Sequence, residues 1–239
     1  DEAGRVLAFE KRGAGNPNAI GGMRAVERLL SELVQAACAS AGIEPSRLTA
    51  AGLGLAGYDW PSQKPAFMRA VQAVGLPANS ALVNDAALGI YAGTSRGWGV
   101  CLAAGTSFNC RALGPDGREG RAVGGGARWG EGAGAQELVQ QAANRVIDMH
   151  CQRGPATQLA EVFMRHFGAR DADDLLEGML RRTYPIQPEL APKIIECAQG
   201  GDAVARQVVR WAAGRLAHIA RGAIRQAGLQ DMPCEVVLA

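Results

Sequence analysis

A chain of 239 residues is long enough to bury a substantial core and to divide into two lobes. With 48% hydrophobic residues, 20% charged residues and a net charge of +2, it is neither a disordered polyelectrolyte nor a surface built for nucleic acid. No apolar run approaches the roughly 18 residues that a membrane-spanning helix needs, and no signal pattern opens the chain, so a cytoplasmic protein without a membrane partner is expected.

The chain opens on GRVLAFEKRG, Gly4 to Gly13, an apolar run between turn residues that reads as a strand, and continues into the loop GAGNPNAIGG. Val26, Leu29, Leu30, Leu33, Val34 and Ala37 then recur at helical spacing, with Arg24, Glu27, Arg28, Ser31 and Glu32 on the other face. Leu48 to Gly57 reads as a buried strand, Lys64 to Val74 as a helix and Ala81 to Asn84 as a short strand. That alternation predicts a parallel sheet.

A second set starts at Trp98 with two strands around Gly105-Thr106 and a Pro115-Asp116-Gly117 hairpin. It becomes mainly helical, near Gln136 to Cys151 and Ala156 to Phe167. Its longest helix is expected from an Asp202 N-cap to about Gly228, on a stripe of Val204, Val208, Ala212, Leu216, Ile219 and Ala223. CEVVLA, Cys234 to Ala239, reads as a further strand. A chain that starts on one strand and stops in another is expected to be a piece of a longer protein.

The six cysteines are scattered without a C-x-x-C pair, which predicts reduced and mostly buried thiols rather than a zinc site or a disulfide scaffold. His150, His166 and His218 lack metal-ligand spacing, and no protein-held metal site is expected.

The stretch Val100 to Gly117 is the most informative. A strand that breaks at Gly105-Thr106-Ser107 and doubles back lets amides and hydroxyls approach a phosphate closely, because glycine has no Cβ to block them. Upstream, ALVNDA, Ala81 to Ala86, places Asp85 at a strand's carboxyl end, where open parallel sheets receive ligands. An N-cap role for a helix over Ala86 to Ala92 would also explain that aspartate. One carboxylate and one phosphate turn together suggest phosphoryl transfer.

Gly52-Leu53-Gly54-Leu55-Ala56-Gly57 fits G-x-G-x-x-G, but Tyr58-Asp59-Trp60-Pro61 follows where a dinucleotide site needs a helix, so that reading is rejected. Asp59 either faces a cleft or makes an Asx turn before Pro61. GGGARWGEGAG, Gly124 to Gly134, carries six glycines among its eleven residues ahead of a predicted helix, a pattern suited to substrate or phosphate contact as well as to a plain connector.

Taken in order, GNPN, GLGLAGYDWP, VNDA, AAGTSFNCR, GPDG and GEGAG resemble the BadF/BadG/BcrA/BcrD ATPase family, above all its N-acetylglucosamine kinase branch, over nearly the whole chain. The resemblance implies an α/β fold of two ribonuclease H-like, actin-like ATPase lobes, with mixed sheets flanked by helices, divided here as residues 1–95 and 96–239. It implies ATP and Mg2+ as cofactors and a small sugar as partner, and it allows a homodimer. Asp85 matches the aspartate that takes a proton from the sugar's 6-hydroxyl, and Gly105, Thr106 and Ser107 fall on the second phosphate motif. Asn16 matches a sugar-contacting asparagine. Asp59 and the loop residues Gly125, Gly126, Trp129 and Glu131 complete the candidate sugar contacts.

The sequence departs from the family in four places. The first phosphate turn, expected upstream of Asp1, and the adenosine glycines, expected after Ala239, lie outside the chain, so these residues alone are expected to show little kinase activity. Where the family has Asp-Glu-Gly-Ser-Gly, this chain has Gly130-Glu131-Gly132-Ala133-Gly134, with the preceding loop shorter by about two residues, and whether Glu131 replaces the lost carboxylate stays open. Ser107 stands where glycine is usual. Two other readings remain at this point: an ATPase activator of a dehydratase or reductase, with a cysteine-held iron-sulfur cluster, and a non-catalytic sugar sensor.

Overall fold

Helical periodicity in the first unit of the computed structural model, which describes residues 3–239, produces α2 (Met23–Ala41). It buries Ala25, Val26, Leu30 and Cys38 and ends at Gly42, whose φ of +67° gives the left-handed cap that glycine adopts most readily. A single turn, α1 (Pro17–Ile20), precedes it. Strands β1 (Ala51–Leu55) and β2 (Ser80–Asn84) pair in parallel from Ala51 opposite Ser80 to Leu55 opposite Asn84, joined through α3 (Lys64–Ala73). Val26, Leu30, Leu53 and Val71 form the core beneath them. The short helix α4 (Leu88–Gly93) follows β2.

The opening run is not a strand. Among the described residues, Gly4 to Gly13 joins no ladder, and Val6 and Phe9 stand 83% and 85% exposed. A strand is completed only by hydrogen bonds to a neighbour, and β1 and β2 pair with each other in a two-stranded sheet. The run is instead tied sideways to α2, where the Ser40 hydroxyl donates to Glu10 Oε1 at 2.6 Å.

The described chain divides into two compact units, one ending at Ala92 and the other spanning Gly93–Ala239. In the second, β3 (Gly99–Ala104) and β4 (Phe108–Leu113) form an antiparallel hairpin, and β5 (Glu119–Arg121) adds after the Gly114–Gly117 turn. Parallel pairing of β6 (Val236–Leu238) with β3 completes a mixed sheet of order β5-β4-β3-β6. Helix α9 (Ala203–Gln226) lies across this sheet, close enough that a Cβ at Gly120 would collide with the Ala223 carbonyl. Val100, Leu102, Cys110, Ala112, Ile219 and Ala223 fill the space between them.

The remaining helices of this unit are α5 (Ala135–His150), α6 (Leu159–Phe167), α7 (Ala172–Leu180) and α8 (Ala191–Gln199). They pack with the first half of α9 around Val139, Leu159, Phe163, Leu175 and Ile194. Each such fully buried side chain contributes about 1.5–3 kcal/mol of transfer free energy before ordering entropy is counted. The second helix was expected from Ala156 but begins at Leu159, because the Thr157 hydroxyl and the Gln158 amide donate instead to Asp202, at 2.9 and 2.8 Å. Three cysteines are buried, Cys38, Cys101 and Cys110, while Cys197 and Cys234 are half-buried and Cys151 is exposed.

Candidate active site

Strand β2 ends at Asn84, which is buried, and the next residue, Asp85, is exposed. The side chain of Asn84 does two jobs. Its Oδ1 accepts the Ala86 amide at 3.0 Å, capping the turn that leads into α4, and its Nδ2 donates to the Tyr58 carbonyl and to Asp59 Oδ1, both at 3.1 Å. The cap is therefore Asn84 rather than the expected Asp85, whose own contact is a bond from the adjacent Ala86 amide to Oδ1 at 2.9 Å. Asp85 is thus held at the strand end by its neighbour and left with its carboxylate exposed.

Asp59 is held through both its backbone and its side chain. Gln63 Oε1 accepts both the Asp59 and Trp60 amides at 2.8 Å, and Asp59 Oδ1 accepts from Asn84 Nδ2. The carboxyl ends of two neighbouring parallel strands are in this way joined by a polar clasp. No helix starts at Gly57, where the turn leads to a short 3-10 segment at Pro61–Gln63, consistent with rejection of a dinucleotide loop. Asn16 caps α1, its Oδ1 accepting the Asn18 amide at 3.0 Å, and it abuts Gly57, where a Cβ would come within 2.9 Å of that oxygen. The first unit thus gathers Asn16 against the Gly57 turn, and Asp59 and Asp85 around Asn84.

In the second unit Gly105, Thr106 and Ser107 form the exposed turn between β3 and β4. The Gly105 and Thr106 carbonyls accept the first amides of α5, from Ala135 at 2.9 Å and Gln136 at 3.1 Å. Gly134 is packed so tightly on Ser107 that a Cβ would reach the Ser107 backbone at 2.6 Å. The turn's carbonyls are thereby committed to the helix. The amides and hydroxyls of Thr106 and Ser107 have no intramolecular partner among the described residues, and these are the donors that phosphate oxygens need.

Glu131 is the keystone of the glycine loop. Its two carboxylate oxygens accept the amides of Val123, Gly124 and Gly125 at 2.8, 2.8 and 2.9 Å, folding the loop back on itself. Trp129 covers Gly125, where any Cβ would strike the indole, yet stays 76% exposed. Gly126 has a φ of +63°, a backbone shape that a side chain would strain. The aspartate and phosphate-turn groups belong to different units. Sequence reasoning missed the Asn84 clasp, the docking of the turn on α5 and the commitment of Glu131 to backbone amides. The Asn-Asp pair at a strand end was the only local signal for any of these.

The described residues contain no group of three or more His, Cys, Asp or Glu side chains placed to hold a metal, and no helix among them is long and apolar enough to cross a membrane. Burial pushes the Cys110 thiol up to about 11, with Cys101 beside it adding to the shift and Arg111 opposing it. Both thiols lie inside the β3–β4 hairpin, a poor setting for a cluster ligand, which must be a thiolate.

Similarity to known proteins agrees with this architecture. The chain is 23% identical over 194 residues to an N-acetylmuramic acid/N-acetylglucosamine kinase of Clostridium acetobutylicum, covering 80% of the chain and 63% of the relative. It is 25% identical over 182 residues to an N-acetyl-D-glucosamine kinase of Dictyostelium discoideum, covering 74% and 57%. The chain thus spans less than two thirds of the length of these curated relatives. Its fold matches the crystal structure of a candidate N-acetylglucosamine kinase from Chromobacterium violaceum with a TM-score of 0.72 at 27% identity, over 98% of this chain and 78% of the other. A second such structure, from Porphyromonas gingivalis, matches with a TM-score of 0.57 at 16% identity, over 98% and 87%, and shares the fold. The α/β architecture is that of the actin-like ATPases. Because the model of the BadF/BadG/BcrA/BcrD ATPase family matches residues 1–239, the chain belongs to that family.

Proposed function

We propose that this chain acts within an ATP-dependent sugar kinase that phosphorylates the 6-hydroxyl of an amino sugar such as N-acetylglucosamine. The observation that carries the reading is the exposed Asp85 carboxylate at the joined strand ends, relieved of helix capping by Asn84. A carboxylate there accepts the hydroxyl proton as the sugar oxygen attacks the γ-phosphate, so the proton goes to Asp85 and the bridging bond to ADP breaks. Phosphoryl transfer needs positioning and charge stabilisation more than covalent chemistry, and the remaining residues supply these.

The unpaired amides and hydroxyls of Thr106 and Ser107 suit the ATP phosphates, and the committed carbonyls behind them keep the turn rigid. Mg2+ entering with the nucleotide would neutralise the phosphate oxygens that Thr106 and Ser107 leave uncovered. In this reading Asn16 and Asp59 of the first unit, and Gly125, Gly126 and Trp129 of the second, are assigned to contact with the sugar. Glu131 serves that contact through the loop it folds, since three amides already occupy its carboxylate.

The kinase names of the relatives support sugar phosphorylation over the activator and sensor readings, and the burial of Cys101 and Cys110 gives the activator reading no help. The test is to incubate the full-length protein with ATP, Mg2+ and N-acetylglucosamine and follow the products by 31P NMR. The reading predicts a sugar 6-phosphate and ADP in equal amounts. ATP hydrolysis to free phosphate, with the sugar unchanged, contradicts it.

A further inference from the structure

Between α5, α7 and the loop that follows α7, the second unit holds a cavity of about 580 Å³ whose walls include none of the residues assigned above to sugar or nucleotide. Its size is that of a small-molecule site. Two contacts fix how the helices run along it. The end of α5 meets the start of α7, where His150 Nε2 lies 3.3 Å from Asp173 Oδ1, and the start of α5 meets the loop after α7, where Gln136 Nε2 donates to the Ile186 carbonyl at 3.3 Å. The two helices are therefore antiparallel. Ile147 and Leu176 fall at one end of the cavity and Gln140 and Arg182 at the other, with Ala143 and Met179 between them. One end is apolar, and the other carries both polar side chains of the wall.

Arg182 is set apart by its backbone and by its charge. It holds a φ of +61° just past the end of α7, a left-handed position that glycine takes most readily, and among the described residues only Gln152 is a second non-glycine with positive φ. The turn around it is pinned: the Arg182 amide donates to the Met179 carbonyl at 3.1 Å, and the Tyr184 amide reaches back to the Gly178 carbonyl at 3.0 Å. The acids of α7 are used elsewhere, Asp173 facing His150, Asp174 accepting from Arg170 and Glu177 pairing with Arg181 at 2.7 Å. The exposed Arg182 guanidinium, by contrast, has no partner among the described residues. A fixed cation without an internal counter-charge, at one end of an otherwise apolar cavity, complements a ligand with an apolar body and an anionic head.

We propose that this cavity binds a medium-chain carboxylate, with its head on Arg182 and its chain lying along α5 towards Ile147. Charge complementarity sets the head. One unpaired cation suits one negative charge, and the guanidinium fork receives the two oxygens of a flat carboxylate. Gln140 uses one amide N–H on Asn144 Oδ1, at 3.1 Å, and has a second for the ligand. The spacing of the walls sets the chain: Gln140 and Ile147 are about 10 Å apart along the helix axis, the span of an extended chain of about eight carbons. Leu180, 86% exposed on the same wall, is covered by such a chain when the cavity is filled.

The test titrates the full-length protein, labelled with 13C-methyl methionine, with octanoate, 1-octanol and acetate. The Met179 methyl signal, assigned through Met179→Leu, reports the site, and calorimetry reports the affinity. Octanoate is expected to shift Met179 and to bind about fivefold or more tighter than 1-octanol, which carries the same chain on a neutral head, while acetate leaves the signal in place. Arg182→Gly puts the favoured residue at the left-handed position, so the fold is kept, and it brings octanoate and 1-octanol to equal affinity. In Arg182→Lys part of the difference returns. Equal binding of the two by the unaltered protein, a preference for octanoate that persists in Arg182→Gly, or acetate shifting Met179 as far as octanoate does, overturns the proposal. A Met179 signal unmoved by octanoate also overturns it, and if the protein then sediments as a dimer that Leu180→Ser dissociates, the face belongs to a second copy of the chain. None of these outcomes bears on the sugar-kinase reading, whose residues lie elsewhere.

Discussion

Asn84 and Asp85 are adjacent in sequence and divide two tasks that one aspartate could have been thought to combine. The asparagine is buried, caps the turn after β2 and ties the β1 loop through Tyr58 and Asp59, so Asp85 has no capping duty. Replacing Asn84 by Ala removes the amide that reaches two partners and is expected to cost about 1–3 kcal/mol, read as a lower midpoint in urea unfolding. The same change lets Asp85 drift, so turnover of the full-length protein should fall further than the loss of folded molecules accounts for. A midpoint unchanged by Asn84→Ala would show that the clasp is incidental. The pair was visible in the sequence, but the division of labour was not, because either residue caps a helix well and the choice was made by Asp59 arriving from a distant loop. Glu131 was hidden for the same reason: its partners are backbone amides that come within its reach only once the loop is folded.

Elements with strong local periodicity were read correctly from the chain. Helix α2 and the long α9 follow their apolar stripes, and the β3–β4 hairpin and the β5 turn follow their glycine signals. The opening run failed because alternation and β-propensity describe half of a strand, the other half being a neighbour that local pattern cannot supply. Helix α9 also starts where its cap predicts. Burial works to raise the Asp202 carboxyl, but the amides of Ala205 and Gln158 and the Thr157 hydroxyl outweigh it and hold the group below the usual carboxylate value. A depressed native value means that the stabilisation is complete above the unfolded carboxylate's pKa of about 4 and is lost as pH falls through the lower native value. Asp202→Ala should therefore cost about 1–2 kcal/mol at pH 7 and much less near pH 2, measured by denaturant titration at both values. An equal cost at the two pH values would remove the carboxylate from that role.

At the scale of the whole molecule, each unit presents one half of the proposed chemistry: the first holds Asp85 and the asparagines, the second the phosphate turn and the glycine loop. The family resemblance was legible because six short motifs kept their order, while none alone would have identified it. These 239 residues span 63% and 57% of the curated relatives, so part of each relative's length has no counterpart in them. The isolated chain is accordingly expected to release ADP from ATP and N-acetylglucosamine at least about 100-fold more slowly than the full-length protein, because nucleotide positioning supplies much of the rate. Equal rates in a coupled ADP assay would refute that expectation.

The central claim is that Asp85 accepts the sugar's proton. It is tested most directly by steady-state kinetics of Asp85→Asn in the full-length protein, alongside its thermal unfolding. The account predicts a kcat lower by about 100-fold or more with the melting temperature changed by no more than about two degrees, since the residue is exposed and its capping role belongs to Asn84. Turnover equal to that of the unaltered enzyme would contradict it.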